Sequence, residues 1–387
     1  MTAELLQSGW SDLDSAELRF IMLDRIGGPG QIDGRDSDPN KFYLPLGGSS
    51  CQIKLTFSCS KEIIRIEPGP SFDAAQWEQV VEEIERTGPH KVGRGCSFSS
   101  FRVNGSWRGK RSAVQILPPP ADAPRAPCEM AEHPFILEFP VKVSDVGSIT
   151  NFRRRREHRR LTFLLNVLLA GGTVIQPRRS RHLWAVVPGE GIDQEAKWVQ
   201  EFYFAKIGEV VRDEMSPSAP ETLEDVDAEE YYETVGHDGQ GLRVPADLDD
   251  SICCYMQLSK SNRDKFSRAG FWMDMASRQW TASLSASFAS LAIAVEALGE
   301  RNVGATARFR NFIEQYAPGA SLEKRRKEMY ALRSDIVPAS PTSSVAADSC
   351  RSSCLSSRRR ERLFADFDCC FAWLASCCLT LITGPPG

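Results

Sequence analysis

The alternation of apolar and polar positions divides the chain into a strand-bearing first part and a helical later part. Gln52–Phe57 and Ile63–Ile66 carry short β-branched and apolar runs and predict strands. Phe135–Val143, apolar at most positions and interrupted at Pro140, predicts another. Between these, Ser71 or Asp73 can cap a helix over Ala74–Arg86, where Trp77, Val80, Val81 and Ile84 form one stripe. Asn104-Gly105, inside Phe101–Arg108, is a two-residue hairpin signal. Pro118–Pro127 reads as an exposed loop or linker.

Phe152–Ala170 is a helix candidate with two characters. Its first half is basic, Arg153-Arg-Arg-Arg-Glu-His-Arg-Arg160, and its second half is apolar on nearly every side and therefore expected to be buried. Thr173–Gln176 and Leu183–Val187 predict strands flanking Arg178, Arg179 and Arg181, and Glu195–Val211 predicts an amphipathic helix. Met215–Asp250 is acidic and broken by Pro217, Pro220, Gly236, Gly239 and Gly241, so it reads as a solvated loop or linker. From Leu248 the spacing becomes helical. After a helix over Asp250–Leu258, Ser261 can cap a stripe that runs from Phe266 through Met273, Trp280, Leu284 and Leu291 to Leu298 in steps of three or four. That stripe fits one long helix or two with a kink. Thr306 and Ser321 cap two further candidates. After Val337 the patterning is lost, which fits either an out-of-frame reading or a disordered C-terminus.

Composition narrows the function classes. With 387 residues the chain is long enough for two or three domains. A net charge of −4 gives no global attraction to nucleic acid, so any phosphate-binding surface must be local. Arg153, Arg154, Arg155, Arg156, Arg159 and Arg160, together with Arg178, Arg179 and Arg181, form the strongest local cluster. They fit either RNA phosphates or a solvated face paired with the acidic segment. The twelve cysteines include no CxxC pair, and the five histidines, His90, His133, His158, His182 and His237, form no metal-ligand motif, so no metal or cofactor is expected. The N-terminus carries no signal-like run, and the longest apolar stretches fall short of the about 20 residues that span a bilayer. A cytoplasmic protein with no membrane partner is the expectation.

Several ordered blocks carry a family resemblance: Tyr255–Ser259, Arg263–Phe266, Ala269, Trp272, Trp280, Ser283–Phe288, Ala294–Leu298, Phe309–Phe312 and Tyr330–Val337. Over residues 248–338 the chain resembles the Apea-like HEPN domains. The resemblance implies an all-α bundle, often dimeric, and a metal-independent endoribonuclease built on an arginine and a histidine separated by four to six intervening residues, in proteins of RNA-related or defence type. The chemistry explains the pair: histidine moves a proton near neutral pH, and arginine holds a phosphate with a planar fork. Arg333 matches the arginine, but Pro338 stands where the histidine would fall, and no histidine follows it. Activity is therefore expected to be impaired. The alternative is a non-catalytic dimerising sensor or interaction protein. Glu296, in the apolar run Leu291–Leu298, is expected to pair with Arg333.

The expected class is α+β. It comprises a mixed α/β region over 1–150, a basic helix with short strands and an amphipathic helix over 151–211, an acidic linker over 212–247, the HEPN-like bundle over 248–338, and a Ser/Arg/Cys-rich tail over 339–387.

Overall fold

A computed structural model describes residues 15–26, 41–45, 52–58, 63–69, 74–86, 88–119, 133–169, 173–174, 182–188, 194–200, 210–233, 241–279, 283–299 and 304–316. The expected helix at Ser321, the tail, Arg178, Arg179, Arg181, Arg333 and Pro338 lie outside them. Helices and antiparallel sheets are both present, so the chain is α+β. It divides into two units. The first lies within Met1–Gly93, Pro140–Glu157 and Val211–Glu214, and the second within Arg94–Phe139, His158–Val210 and Met215–Gly387.

In the first unit, β1 (Lys41–Pro45), β2 (Gln52–Phe57) and β3 (Ile63–Pro68) form an antiparallel sheet in that order. Ile53 and Leu55 are buried with half-buried Lys54 and Thr56 beside them, the two-residue alternation of a one-sided strand. In β3 the buried residues are Ile63 and Ile66, three apart. A register shift beside Thr56 and Phe57 absorbs that phase error: Phe57 pairs with Ile63, Thr56 with Arg65, and Ile64 is left over on the solvent side. α1 (Ser15–Ile21), a π turn (Met22–Ile26) and α2 (Ala74–Glu85) complete the core with Leu18, Ile21, Met22, Val80 and Ile84. α2 occupies the span its stripe predicts.

The charged centre of this unit is Glu17, 2% exposed. Arg153 and Arg156, one turn apart on α3 (Gly147–Leu168), both donate to its carboxylate. Arg153 Nη1 also donates to the carbonyl of Val143 at 3.2 Å. Arg25 has a related role: it reaches the carbonyls of Glu83 and Arg86, at the C-terminal end of α2 where a cation is favoured, and it pairs with Asp145 at 2.8 Å.

The second unit holds β6 (Gln115–Leu117), β5 (Trp107–Arg108), β8 (Thr173–Val174) and most of β4 (His90–Ser99) and β7 (His133–Lys142), in the order β4, β7, β6, β5 with β8 also on β4; β11 (Val211–Arg212) pairs with the first-unit residues Val92 and Gly93. Phe135, Leu137 and Phe139 of β7 share a core with the apolar second half of α3, buried as its sequence predicts. The same core takes side chains from α5 (Leu248–Gln257), α6 (Lys260–Gln279), α7 (Leu284–Leu298) and α8 (Ala305–Tyr316). Apolar packing thus continues across residue 248. The long stripe is two helices: α7 folds back on α6, with the Ser287 hydroxyl on the Ala276 carbonyl at 2.7 Å and Ser290 on Gln279 at 2.9 Å.

Five local expectations are corrected. Asn104-Gly105 is not a hairpin turn. The turn joins β5 to β6 at 109–114, and Gly105 is small because the backbone of Thr222 passes there, 2.7 Å from where a Cβ would stand. Gln194–Gln200 is β10, paired antiparallel with β9 (His182–Pro188), so the expected amphipathic helix does not start at Glu195. The acidic segment is not merely a solvated linker: β12 (Asp225–Val226) pairs in parallel with β13 (Val244–Pro245), α4 (Ala228–Glu233) lies between them in sequence, and Leu223, Leu242 and Val244 enter the core. Ser259 rather than Ser261 begins α6, its carbonyl accepting from the Arg263 N–H at 2.9 Å. α8 begins at Ala305, so Thr306 lies inside it rather than capping it.

Glu17→Ala would leave the buried Arg153 guanidinium without its counter-charge. Equilibrium urea denaturation is expected to show a loss of about 3–5 kcal/mol. A loss below about 1 kcal/mol, the range of an exposed pair, would show that Glu17 is not needed to hold that charge.

Candidate functional site

The basic run is divided by the helix that carries it. Arg153 and Arg154 are 4% and 1% exposed, while Arg155 and Arg159 are exposed and Arg156 and Arg160 half-buried. The expectation that all six present themselves to phosphate is therefore corrected for Arg153 and Arg154, which sit below the surface. Arg153 and Arg156 are brought together on Glu17, a residue far away in sequence that neither the phosphate reading nor pairing with the acidic segment anticipates. Arg156 also lies over the Phe152 ring, 5.8 Å from its centroid.

His158, one of the candidate histidines, has a defined setting in the second unit. Its Nε2 lies 2.9 Å from Ser97 Oγ, the spacing of a nucleophile and its base. The proton count argues against that chemistry. Thr162 Oγ1 donates to the His158 carbonyl at 2.9 Å, which uses its only hydrogen. The 2.9 Å contact between Ser97 and Thr162 must then be donated by Ser97. Having spent its own hydrogen, Ser97 accepts from His158, so Nε2 carries a proton and cannot take one from the serine. Ser97 is 0% and His158 4% exposed, and Phe139 stacks on the imidazole with centroids 6.0 Å apart. A Cβ on Gly95 would come within 2.6 Å of the ring, so glycine is the residue that lets the strand pass. The group is buried and joins β4 to α3.

A second buried polar group lies on β7 and β6, where Glu138 stands opposite Gln115, both 0% exposed. Ser216 donates to Glu138 twice, from its hydroxyl at 2.6 Å and its N–H at 2.9 Å, and accepts at its carbonyl from Gln115 at 3.2 Å. Arg94 Nε lies 3.6 Å from the same carboxylate. Sequence reading missed this site. An acidic residue in an apolar strand was the available signal, of the kind that singled out Glu296.

Of the residues carrying the resemblance, the described ones lie on α5–α8 or directly beside their ends, as Leu258, Ser259 and Ser283 do. Tyr255 and Phe266 meet edge to face with centroids 5.2 Å apart, and Phe309 and Phe312 are buried. Glu296 is half-buried on α7. Asp274 and Arg278 form a two-point pair one turn apart on α6, at 2.8 and 3.2 Å. Burial pushes the Asp274 carboxyl up, and Arg278 opposes the shift. Among the described residues no group of three His, Cys, Asp or Glu side chains is arranged to hold a metal ion, and no helix is long and apolar enough to cross a membrane. Neither a family model, nor a curated protein, nor a solved structure matches the chain.

Asp249, in the first turn of α5, accepts from the backbone N–H groups of Arg111 at 2.9 Å and Ser112 at 3.0 Å, holding the β5–β6 turn in which Ala113 has a φ of 52°. Burial pulls this carboxyl upward, but the hydrogen bonds from the turn outweigh it and hold it below the ordinary carboxylate range. The folded form therefore binds its proton less tightly than the unfolded chain. The stabilisation is complete above the ordinary aspartate value of about 3.9 and disappears as pH falls through the lower folded value. In urea titrations from pH 6 downward, at about 25 °C, Asp249→Asn is expected to lose stability less steeply than the parent protein. Equal slopes would show that the turn does not depend on the ionised carboxylate.

Proposed function

We propose that this chain is a HEPN-like, RNA-associated protein of defence type whose ribonuclease pair is incomplete, so that it binds RNA without cleaving it. The observation that carries the reading is Pro338 in place of the motif histidine five residues after Arg333. Proline has no side-chain group that moves a proton, and it disfavours helix at Val337. Support comes from the ordered blocks of the resemblance, whose described members fall on helices that pack together. In this reading α5–α8 belong to the HEPN bundle, Arg333 and Glu296 form its internal ion pair, and the protein acts in the cytoplasm as a homodimer. Exposed Arg155 and Arg159, four residues apart on α3, are the phosphate contacts.

A second reading, a non-catalytic dimerising interaction protein that does not use RNA, is favoured by one observation. Phe271 on α6 is 44% exposed, in edge contact with Phe163 and Trp272.

RNA binding and cleavage in EDTA distinguish the two. The parent protein is expected to bind without cleaving, Pro338→His to cleave, and Pro338→His with Arg333→Ala to be inactive. Arg155→Ala with Arg159→Ala should weaken RNA binding and lower the slope of log affinity against log salt by about 2. Failure of the parent protein to bind RNA at low salt would overturn the proposal and leave the interaction reading.

A further inference from the structure

The acidic segment that enters the second unit begins with Met215-Ser-Pro-Ser-Ala-Pro-Glu-Thr222. Its backbone is fastened to the sheet at both ends, and the Ser106 hydroxyl also donates to the Ala219 carbonyl at 3.3 Å. At one end Ser216 gives two hydrogen bonds to Glu138 and takes one from Gln115. At the other end, Ser106 N–H donates to the Glu221 carbonyl at 2.8 Å and its carbonyl accepts from Leu223 N–H at 2.9 Å. Between these anchors Pro217 and Pro220 have no N–H to offer. Pro217, Ser218, Pro220, Glu221 and Thr222 are all exposed. The segment is therefore a strap laid over a buried carboxylate, open to solvent along its middle, with a half-buried serine at its latch and a proline directly after it.

We propose that Ser216 is a phosphorylation site for a proline-directed protein kinase, and that its modification releases the strap. The reaction takes the terminal phosphoryl group of a nucleoside triphosphate. A bond forms between Ser216 Oγ and phosphorus, the bond from phosphorus to the bridging oxygen breaks, the nucleoside diphosphate leaves, and the hydroxyl proton passes to the kinase base. No electron transfer is involved.

The consequence follows from charge and from lost donors. In the unmodified strap the Ser216 hydroxyl gives its hydrogen to Glu138 at 2.6 Å. A phosphoserine has no hydrogen there, and it brings a charge of about −1.5 to −2 against a carboxylate. Among the described residues, Arg94, 3.6 Å from that carboxylate, supplies the positive charge that offsets Glu138. A phosphate in the same place would leave a net charge of about −2 in a site where Glu138 and Gln115 are both 0% exposed. Brief opening of the strap gives the kinase access, and the phosphate then prevents it from closing. The Ser-Pro pair occurs once more in the chain, at Ser340-Pro341, which provides an internal comparison.

The test treats the full chain with a proline-directed kinase and adenosine triphosphate, maps the phosphate by peptide fragmentation, and follows amide hydrogen exchange. Phosphate on Ser216, absent in Ser216→Ala and in Pro217→Ala, is expected, with exchange across 216–223 faster by at least about tenfold. In Glu138→Gln, modified to the same extent, the acceleration over its own unmodified form should be several-fold smaller, because the opposing charge is gone. Phosphate only on Ser340 would overturn the site. Phosphate on Ser216 without faster exchange, or with equal acceleration in Glu138→Gln, would overturn the release by repulsion.

Discussion

A carboxylate removed from water must be surrounded by donors, and two such carboxylates organise this protein. Glu17 gathers Arg153 and Arg156 in the first unit, and Glu138 gathers Ser216 and Arg94 in the second. The apolar cores could tolerate small shifts of their side chains, whereas a buried ion cannot tolerate the loss of its partner. Each glutamate therefore fixes segments that the sequence separates by scores of residues: α1 against the start of α3, and the acidic segment against the middle of β7. Desolvation offsets much of the attraction in such buried pairs, so the loss of one partner matters more than the pair's net contribution.

This constraint explains what the sequence reveals and what it hides. α2, β2 and the burial of Leu161–Leu168 were legible because each is a repeating apolar pattern, and burial follows from the pattern alone. The bulge beside Thr56 was not, because Ile63 and Ile66 share a face only after a register shift that two strands produce together. The acidic segment looked solvated because its charges dominate its composition, yet Leu223, Leu242 and Val244 are enough to fix it to a core. Gly105 resembled a turn residue by its neighbour Asn104, whereas its small size is needed by the passing backbone of Thr222. The basic run was visible at once, but its division into buried Arg153 and exposed Arg155 depends on Glu17, which local spacing cannot find.

The buried histidine shows why proximity alone is a poor guide to chemistry. Ser97 and His158 have the separation of a reactive pair, but the hydroxyl of Thr162 decides the direction of every proton in the chain of contacts. Both partners are buried, Phe139 stacks on the imidazole, and the imidazole serves as a donor that ties a strand to a helix. The proposed function therefore rests on the helical blocks and on Arg333 with Pro338, and not on this pair.

The close passage of Gly95 beside the same imidazole has an evolutionary consequence. With only 2.6 Å between the ring and a methyl group at position 95, neither residue can change alone without a clash or a void. The two positions form a single steric unit. Divergent copies of this chain that carry a side chain at 95 should carry a smaller residue at 158, and the hydroxyls of Ser97 and Thr162 should then be free to drift as well.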